Sequence, residues 1–240
     1  MKNNIIFVLI IIFLVCDLSS EEVKLPDGSI YNGTLNNNLF DGYGILIWRN
    51  GDIYEGQFLE GIINGTGKIT SRSYIYIGGF KDGLFEGEGK ITYTNGGSYE
   101  GLFKNGLYHG YGTNVDQIGN IYIGNFEYGI RTGEGSVQLI SGDSFFGEYE
   151  NDMFNGKGRY VERNGNVYTG SFKDNLFHGE GKYITIDNKI FEGLFINGNF
   201  PEKYEKRKAL LNSFIVIIFI LSILLNIIFI IKIKKYRVIT

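Results

Sequence analysis

The chain has 240 residues, 43% hydrophobic and 15% aromatic, with 23 Lys/Arg against 26 Asp/Glu and a formal net charge of −3. A single cysteine excludes an intrachain disulfide framework, and two histidines leave little material for metal or nucleophilic sites. The acidic balance argues against nucleic acid as a partner, since phosphate contacts need clustered cations.

In chain order, the first feature is an apolar run from Ile5 to Val15, preceded by Lys2 and followed by Cys16, Asp17, Leu18, Ser19 and Ser20. Its 11 residues would span about 17 Å as a helix, short of a hydrocarbon core of about 30 Å. A basic start, a short apolar run and small residues at its end predict a signal peptide over residues 1–20. Lys2 lies before the run and Asp17, Glu21 and Glu22 after it, which favours a cytosolic amino end and sends the central region of the chain across the membrane.

From Gly28 a phrase recurs: Gly-x-x-Tyr-x-Gly-x-Phe, a polar turn, then Gly-x-Gly. Its copies start at Gly28, Gly51, Ser73, Gly96, Gly119, Gly142, Gly165 and Asn188, at intervals of 23 residues except for one of 22. Such a period means an array of small units that bury their apolar faces against one another. Numbering slots from each start, slot 4 is Tyr31, Tyr54, Tyr76, Tyr99, Tyr122, Phe145, Tyr168 and Phe191, and slot 6 is always glycine. Slot 8 is Leu35, Phe58, Phe80, Phe103, Phe126, Tyr149, Phe172 and Phe195. That period of two reads as a strand with rings and glycine on one face, the glycine being a floor for the rings. Slot 11 holds only Gly, Asn or Asp, residues that tolerate positive φ in a tight turn. A second strand opens at Gly-x-Gly, so each copy is one β-hairpin.

Copies such as Gly51-Asp-Ile-Tyr-Glu-Gly-Gln-Phe and Gly165-Asn-Val-Tyr-Thr-Gly-Ser-Phe resemble the MORN repeat (membrane occupation and recognition nexus). The resemblance covers seven full copies and a truncated eighth, over residues 24–200. It implies an all-β fold, an elongated twisted antiparallel sheet of stacked hairpins. The first copy departs at Leu35 and Asn38, the third at Ser73 and the last at Asn188, and the eighth copy stops at Pro201.

The repeat assigns most residues that invite a chemical reading. His109 and His178 fall in one slot, occupied elsewhere by Asp41, Asn64, Glu86, Thr132 and Asn155, and read as a polar turn position. Three copies apart, they would stand roughly 29 Å from each other along a stack of strands and cannot share a metal. The Gly-x-Gly pairs lie in hairpins, not at strand-to-helix turns, and are no phosphate loop. No catalytic residue, cofactor site or metal site is expected. Residues 24–200 hold 14 Lys/Arg against 21 Asp/Glu, a difference of −7 that disfavours lipid headgroups as ligands. Two features keep a functional reading. Slot 13 carries Phe40, Phe85, Tyr108, Phe154 and Phe177, with Ile63 and a break at Arg131, a candidate binding strip whose alternative role is packing between hairpins. Asn32-Gly-Thr and Asn64-Gly-Thr are glycosylation sequons usable in a secretory lumen, with Asn64 in a turn slot and the better acceptor.

After a linker over residues 201–208, residues 209–231 form an uncharged run of 23 residues, roughly 34 Å as a helix. Lys206, Arg207 and Lys208 flank one end, and Lys232, Lys234, Lys235 and Arg237 the other. This predicts a C-terminal transmembrane α-helix and a short basic tail over residues 232–240. Ser222 and Asn226, one turn apart, could bond a partner helix. The expectation is a single-pass, type I membrane protein that displays a non-enzymatic scaffold to the lumen or exterior and binds another protein. The competing arrangement keeps the repeats cytosolic with a tail anchor, which resembles junctophilins, where such repeats bridge to a second membrane. Some arrays of this kind are linked to phosphoinositides, which again puts them in the cytosol.

Overall fold

The structure, a computed structural model, describes residues 21–200 and 213–223. The predicted signal peptide, linker and basic tail lie outside the described residues. Of the predicted membrane helix, residues 213–223 are described, helical and exposed throughout. Among the described residues no helix is long and apolar enough to cross a membrane.

The rest is antiparallel strand, in two compact units divided between Ile130 and Arg131. The first unit holds β1 (Glu21–Lys24), β2 (Ile30–Asn36), β3 (Leu39–Ile47), β4 (Ile53–Leu59), β5 (Ile62–Thr70) and β6 (Tyr74–Lys81). It continues through β7 (Leu84–Tyr93), β8 (Ser98–Lys104), β9 (Leu107–Val115) and β10 (Ile121–Glu127). The second unit holds β11 (Ile130–Gln138) apart from its first residue, β12 (Ser144–Glu150), β13 (Met153–Val161), β14 (Val167–Lys173), β15 (Leu176–Ile184) and β16 (Ile190–Phe195). Within each unit every strand pairs with its sequence neighbours, one hairpin per copy, as the period predicts. The sheet also starts earlier than the repeat does: β1 pairs with β2, with Val23 opposite Tyr31.

Each hairpin turn is a two-residue loop with both residues left-handed, the type I′ geometry that matches strand twist. Asn105 and Gly106 have φ of 50° and 81°, and Tyr128 and Gly129 have 49° and 85°. Slot 11 was legible from its composition. Slot 10 was not, because Glu60 and Tyr128 occupy it at positive φ as well as Asn and Asp. Glu60→Asn is therefore expected to stabilise the protein by about 0.5–1 kcal/mol, as asparagine visits this region at lower cost. Thermal unfolding checks this, and a lowered midpoint would contradict it. Each turn also binds the second strand of the preceding hairpin: Gly61 N–H donates to Phe40 O (2.8 Å) and Gly106 N–H to Phe85 O (2.9 Å). The 22-residue interval is absorbed in the connector between β5 and β6, where Ser71 N–H donates to Tyr74 O and Ser73 replaces the left-handed glycine found in six other copies.

The two glycines of Gly-x-Gly have different tasks. The first, such as Gly42 (φ 71°), Gly87 (φ 72°) or Gly179 (φ 72°), takes a left-handed backbone where a bulge shifts the register of the hairpin. The second lies flat against the slot-6 glycine of its own hairpin, as Gly33↔Gly44, Gly56↔Gly67 and Gly101↔Gly112. It is also paired with the slot-6 glycine of the next copy, as Gly44↔Gly56 and Gly89↔Gly101. A row of glycine thus crosses the strands of each unit, and on it lie the slot-4 rings.

Candidate functional site

The two faces of the sheet differ in kind. On the aromatic face Tyr31, Tyr54, Tyr76, Tyr99 and Tyr168 are completely buried (0% exposed), although a single sheet has no second layer to cover them. They are buried by one another. Tyr76 lies on Gly78 and Gly89, meets the edges of Phe80 (5.1 Å) and of Phe103 in the next copy (5.2 Å), and is stacked under Phe85 (3.7 Å). The hydroxyl passes over the glycine and donates to the slot-7 carbonyl of its own strand, as Tyr54 to Gln57 O (2.8 Å) and Tyr168 to Ser171 O (2.8 Å). A buried phenol so placed resists ionisation. Burial pushes the pKa of Tyr54, Tyr99 and Tyr168 up to about 12, and that of Tyr76 higher still. Unfolded tyrosine ionises near pH 10. The folded state therefore holds protons that the unfolded state has lost between pH 10 and 12, and stability falls over that window. Alkaline titration followed by circular dichroism should show cooperative unfolding with tyrosine ionisation delayed until then, whereas ionisation near pH 10 with the sheet intact would refute this burial.

The candidate strip belongs to this face. Phe40, Phe85 and Tyr108 in the first unit and Phe154 and Phe177 in the second are half-buried, each stacked on its slot-4 ring at 3.7–3.9 Å between centroids. One surface of each ring is thus occupied by packing. Arg131, which breaks the row, donates from Nε to Asp152 Oδ1 (2.9 Å) and lies over the Tyr149 ring.

The opposite face is open. Slots 5, 7, 16 and 18 point there, and their side chains form rows across the strands. In the first unit one row runs Ile45, Glu55, Lys68, Ile77, Lys90 and Glu100, each opposite the next. Lys90 Nζ stands 2.8 Å from Glu100 Oε2. Tyr43 (64% exposed), Tyr111 (61%), Ile77 and Leu102 project among these charges. Between these side chains lies a shallow groove of about 840 Å³ lined by Ile77, Glu88, Lys90, Glu100, Leu102 and Tyr111. A groove of about 690 Å³ runs along Tyr43, Glu55, Lys68 and Ile77. In the second unit Phe146 (59% exposed), Glu148, Lys157 and Arg159 line another of about 460 Å³. Sequence reasoning missed these surfaces because their slots vary from copy to copy, so the period carries no sign of them.

Comparison with known families decides the classification. The family model described as MORN repeat matches residues 31–53, 54–74, 76–98, 99–113, 122–144, 145–167 and 168–188, more than half of the chain. The chain belongs to the MORN-repeat family. Among solved structures, the MORN chain is similar to the TCP domain of Drosophila melanogaster SAS-4 (dCPAP), solved with a proline-rich motif of Ana2 (dSTIL). Identity is 12% over 75% of this chain and 92% of that one, with a TM-score of 0.31. The TCP10 domain of Danio rerio CPAP, solved with a peptide of STIL, matches at 14% identity over 74% and 100%, TM-score 0.19. A virginiamycin B lyase from Staphylococcus aureus matches at 11% identity over 73% and 69%, TM-score 0.16. No curated protein matches.

The remaining sequence candidates are placed by the MORN hairpins. His109 and His178 sit inside β9 and β15, not in turns, each with a buried Nδ1 that has no hydrogen-bond partner. At that slot Glu86 accepts from the N–H of Asn105 in the following turn (2.9 Å), which shows what the slot does. Among the described residues no group of three or more His, Cys, Asp and Glu side chains could hold a metal. The sequons also lie in strands. Asn32, in β2, is exposed on the open face, whereas Asn64, expected in a turn, is half-buried in β5 beside left-handed Gly65. The turn is only Glu60 and Gly61, with Leu59 paired to Ile62, so Asn64 falls beyond it in the bulged part of β5 and Asn32 is the more exposed of the two.

Proposed function

We propose that this MORN array is a protein-binding scaffold without catalytic activity, held at a membrane by residues 209–231 and displayed on the lumenal or exterior side. The observation that carries the binding role is the open face of the first unit. Exposed Tyr43, Ile77 and Tyr111 stand among charges of both signs, on a sheet made rigid by the packing of its other face. Aromatic anchors rimmed by charged groups are the composition of protein interfaces. The acidic balance of residues 24–200 disfavours an anionic membrane as the partner of this face. Anchoring rests on the uncharged run of 23 residues, and orientation on Lys2 before and Asp17, Glu21 and Glu22 after the N-terminal apolar run.

Two measurements test this reading. A photo-crosslinking residue at Tyr111 of the full chain in cells should give a discrete protein adduct that the same residue at Asp82, on a turn, does not. Identical patterns at both sites would remove the open face from the argument. For orientation, intact microsomes carrying a C-terminally tagged chain are treated with protease. Loss of the tag with protected repeats is expected, together with an endoglycosidase-sensitive glycan at Asn32. Digested repeats with a surviving tag would establish the tail-anchored, cytosolic arrangement instead.

A further inference from the structure

Among the described residues the array ends in half a hairpin. In β16 the eighth copy supplies its first strand and its turn, with Asn197 and Gly198 left-handed as in the other copies. The return is begun by Ile196 and Asn199, which exchange both backbone hydrogen bonds (2.9 and 3.1 Å). It does not continue among the described residues, where β15 is the one strand paired with β16. The sequence beyond Phe200 lacks the pattern: Glu202 and Tyr204 stand where the two glycines of Gly-x-Gly would fall. By the alternation of an antiparallel ladder, Ile190, Glu192 and Leu194 turn their backbone groups the same way as Ile196, toward the open edge. Phe191 is half-buried, whereas all seven other slot-4 rings are buried. Beside it Phe177, Tyr183, Phe195 and Phe200 enclose a pocket of about 330 Å³.

We propose that the edge of β16 takes up an extended segment of a partner protein, running antiparallel, with glycine opposite Gly193, a basic residue opposite Glu192 and an apolar residue opposite Phe191. The other hairpins specify this occupant. Slot 6 faces glycine in Gly33↔Gly44, Gly56↔Gly67 and Gly170↔Gly181. Slot 5 faces a cation in Glu55↔Lys68, Ile77↔Lys90, Phe146↔Arg159 and Thr169↔Lys182, though not in Asn32↔Ile45 or Glu100↔Thr113. Slot 4 faces an apolar or aromatic residue in Tyr31↔Leu46, Tyr76↔Ile91 and Tyr168↔Tyr183. Glu192 supplies charge complementarity, with Lys182 at 3.5 Å satisfying it from one side only. The edge is six residues, with a single charge and no proline among the devices that discourage strand pairing. The edge of β1 at the other end is four residues with Glu22 and Lys24. A second copy fits poorly. Joining β1 to β16 in hairpin register would set Glu22 against Glu192. Two β16 strands related by a twofold axis at Gly193 would face glycine with glycine and Phe191 with Phe195, but would set Glu192 opposite Leu194 and leave it without a cation on that side.

The test uses the full-length chain in detergent and a fluorescent peptide with the sequence of residues Gly179–Thr185, which carries glycine, lysine and tyrosine at the three required places. Anisotropy should show saturable binding. The peptide with Gly181→Val should bind at least about tenfold more weakly, since its side chain overpacks the floor. Glu192→Pro in the chain, which removes one outward N–H, should weaken the parent peptide comparably. If that variant does not fold, the two peptides decide the matter alone. Equal affinity of the two peptides, or no binding up to about 1 mM, overturns the proposal. So does a dimer in sedimentation that Glu192→Pro dissociates, which would give the edge to a second copy.

Discussion

Gly101→Val is expected to destabilise the protein by at least about 3 kcal/mol, the upper range for overpacking a closed site. A Cβ at Gly101 would stand 2.6 Å from Gly112 Cα, 2.7 Å from Tyr111 O and 2.7 Å from Tyr99 Oη. Two of these three atoms are backbone of the paired strand and cannot turn aside as a side chain tip would. The strands must separate or the Tyr99 ring must leave the floor. Lys104→Ala is the control. Lys104 is exposed and reaches only the Tyr128 ring, with Nζ 5.9 Å from its centroid, so its loss should cost about 0.5–1 kcal/mol. Thermal and denaturant unfolding of the two variants measures the difference. Equal midpoints would refute the glycine floor.

Tyr99→Ala is expected to cost about 3–5 kcal/mol, as for removal of a large buried ring. Tyr99 touches the edges of Phe103 (5.1 Å) and Phe126 (5.2 Å) and is stacked on Tyr108 (3.8 Å), so the cavity would open in two copies at once. Tyr99→Phe keeps the ring and removes the hydroxyl that donates to Leu102 O (2.9 Å), for about 1 kcal/mol. The chain already tolerates that exchange at Phe145, which is stacked on Phe154 as Tyr99 is on Tyr108. Denaturant unfolding of both variants should therefore give a large and a small loss. Comparable losses would place the stability in the hydroxyl and not in the ring.

The hairpins were legible because each of their requirements fixes a residue type. Slots 4 and 8 need large apolar side chains, rings in every case but Leu35, slots 6 and 17 admit no side chain, and slot 11 needs positive φ, so a period of 23 residues displays them directly. What failed to show was whatever several residue types can satisfy. The hydroxyl bond of Tyr54 or Tyr168 is invisible in a slot that Phe145 and Phe191 also fill. The left-handed turn position at Glu60 and Tyr128 is imposed by the loop and not signalled by those side chains. β1 lies in a stretch with no repeat residue and, among the described residues, is held by pairing with β2. Asn64 and His109 read as turn residues because their slot is polar in every full copy, although each loop ends at slot 11 and the second strand has already begun. The grooves of the open face were hidden for a related reason. Residues such as Glu55, Ile77 and Tyr111 answer to the solvent or a partner and not to the fold, so they obey no period.

Slot-4 rings are closed by the slot-8 ring of the following copy, as Tyr31 is by Phe58, Tyr54 by Phe80 and Phe145 by Phe172. No copy owns a complete core, so none is a natural stopping place. A gene that gains or loses one 23-residue copy keeps every remaining contact type and changes only the count. Within a unit that count advances in steps of roughly 9.6 Å, two strand spacings. Evolution can therefore tune reach by duplication alone, leaving the varied slots of the open face free to diverge copy by copy.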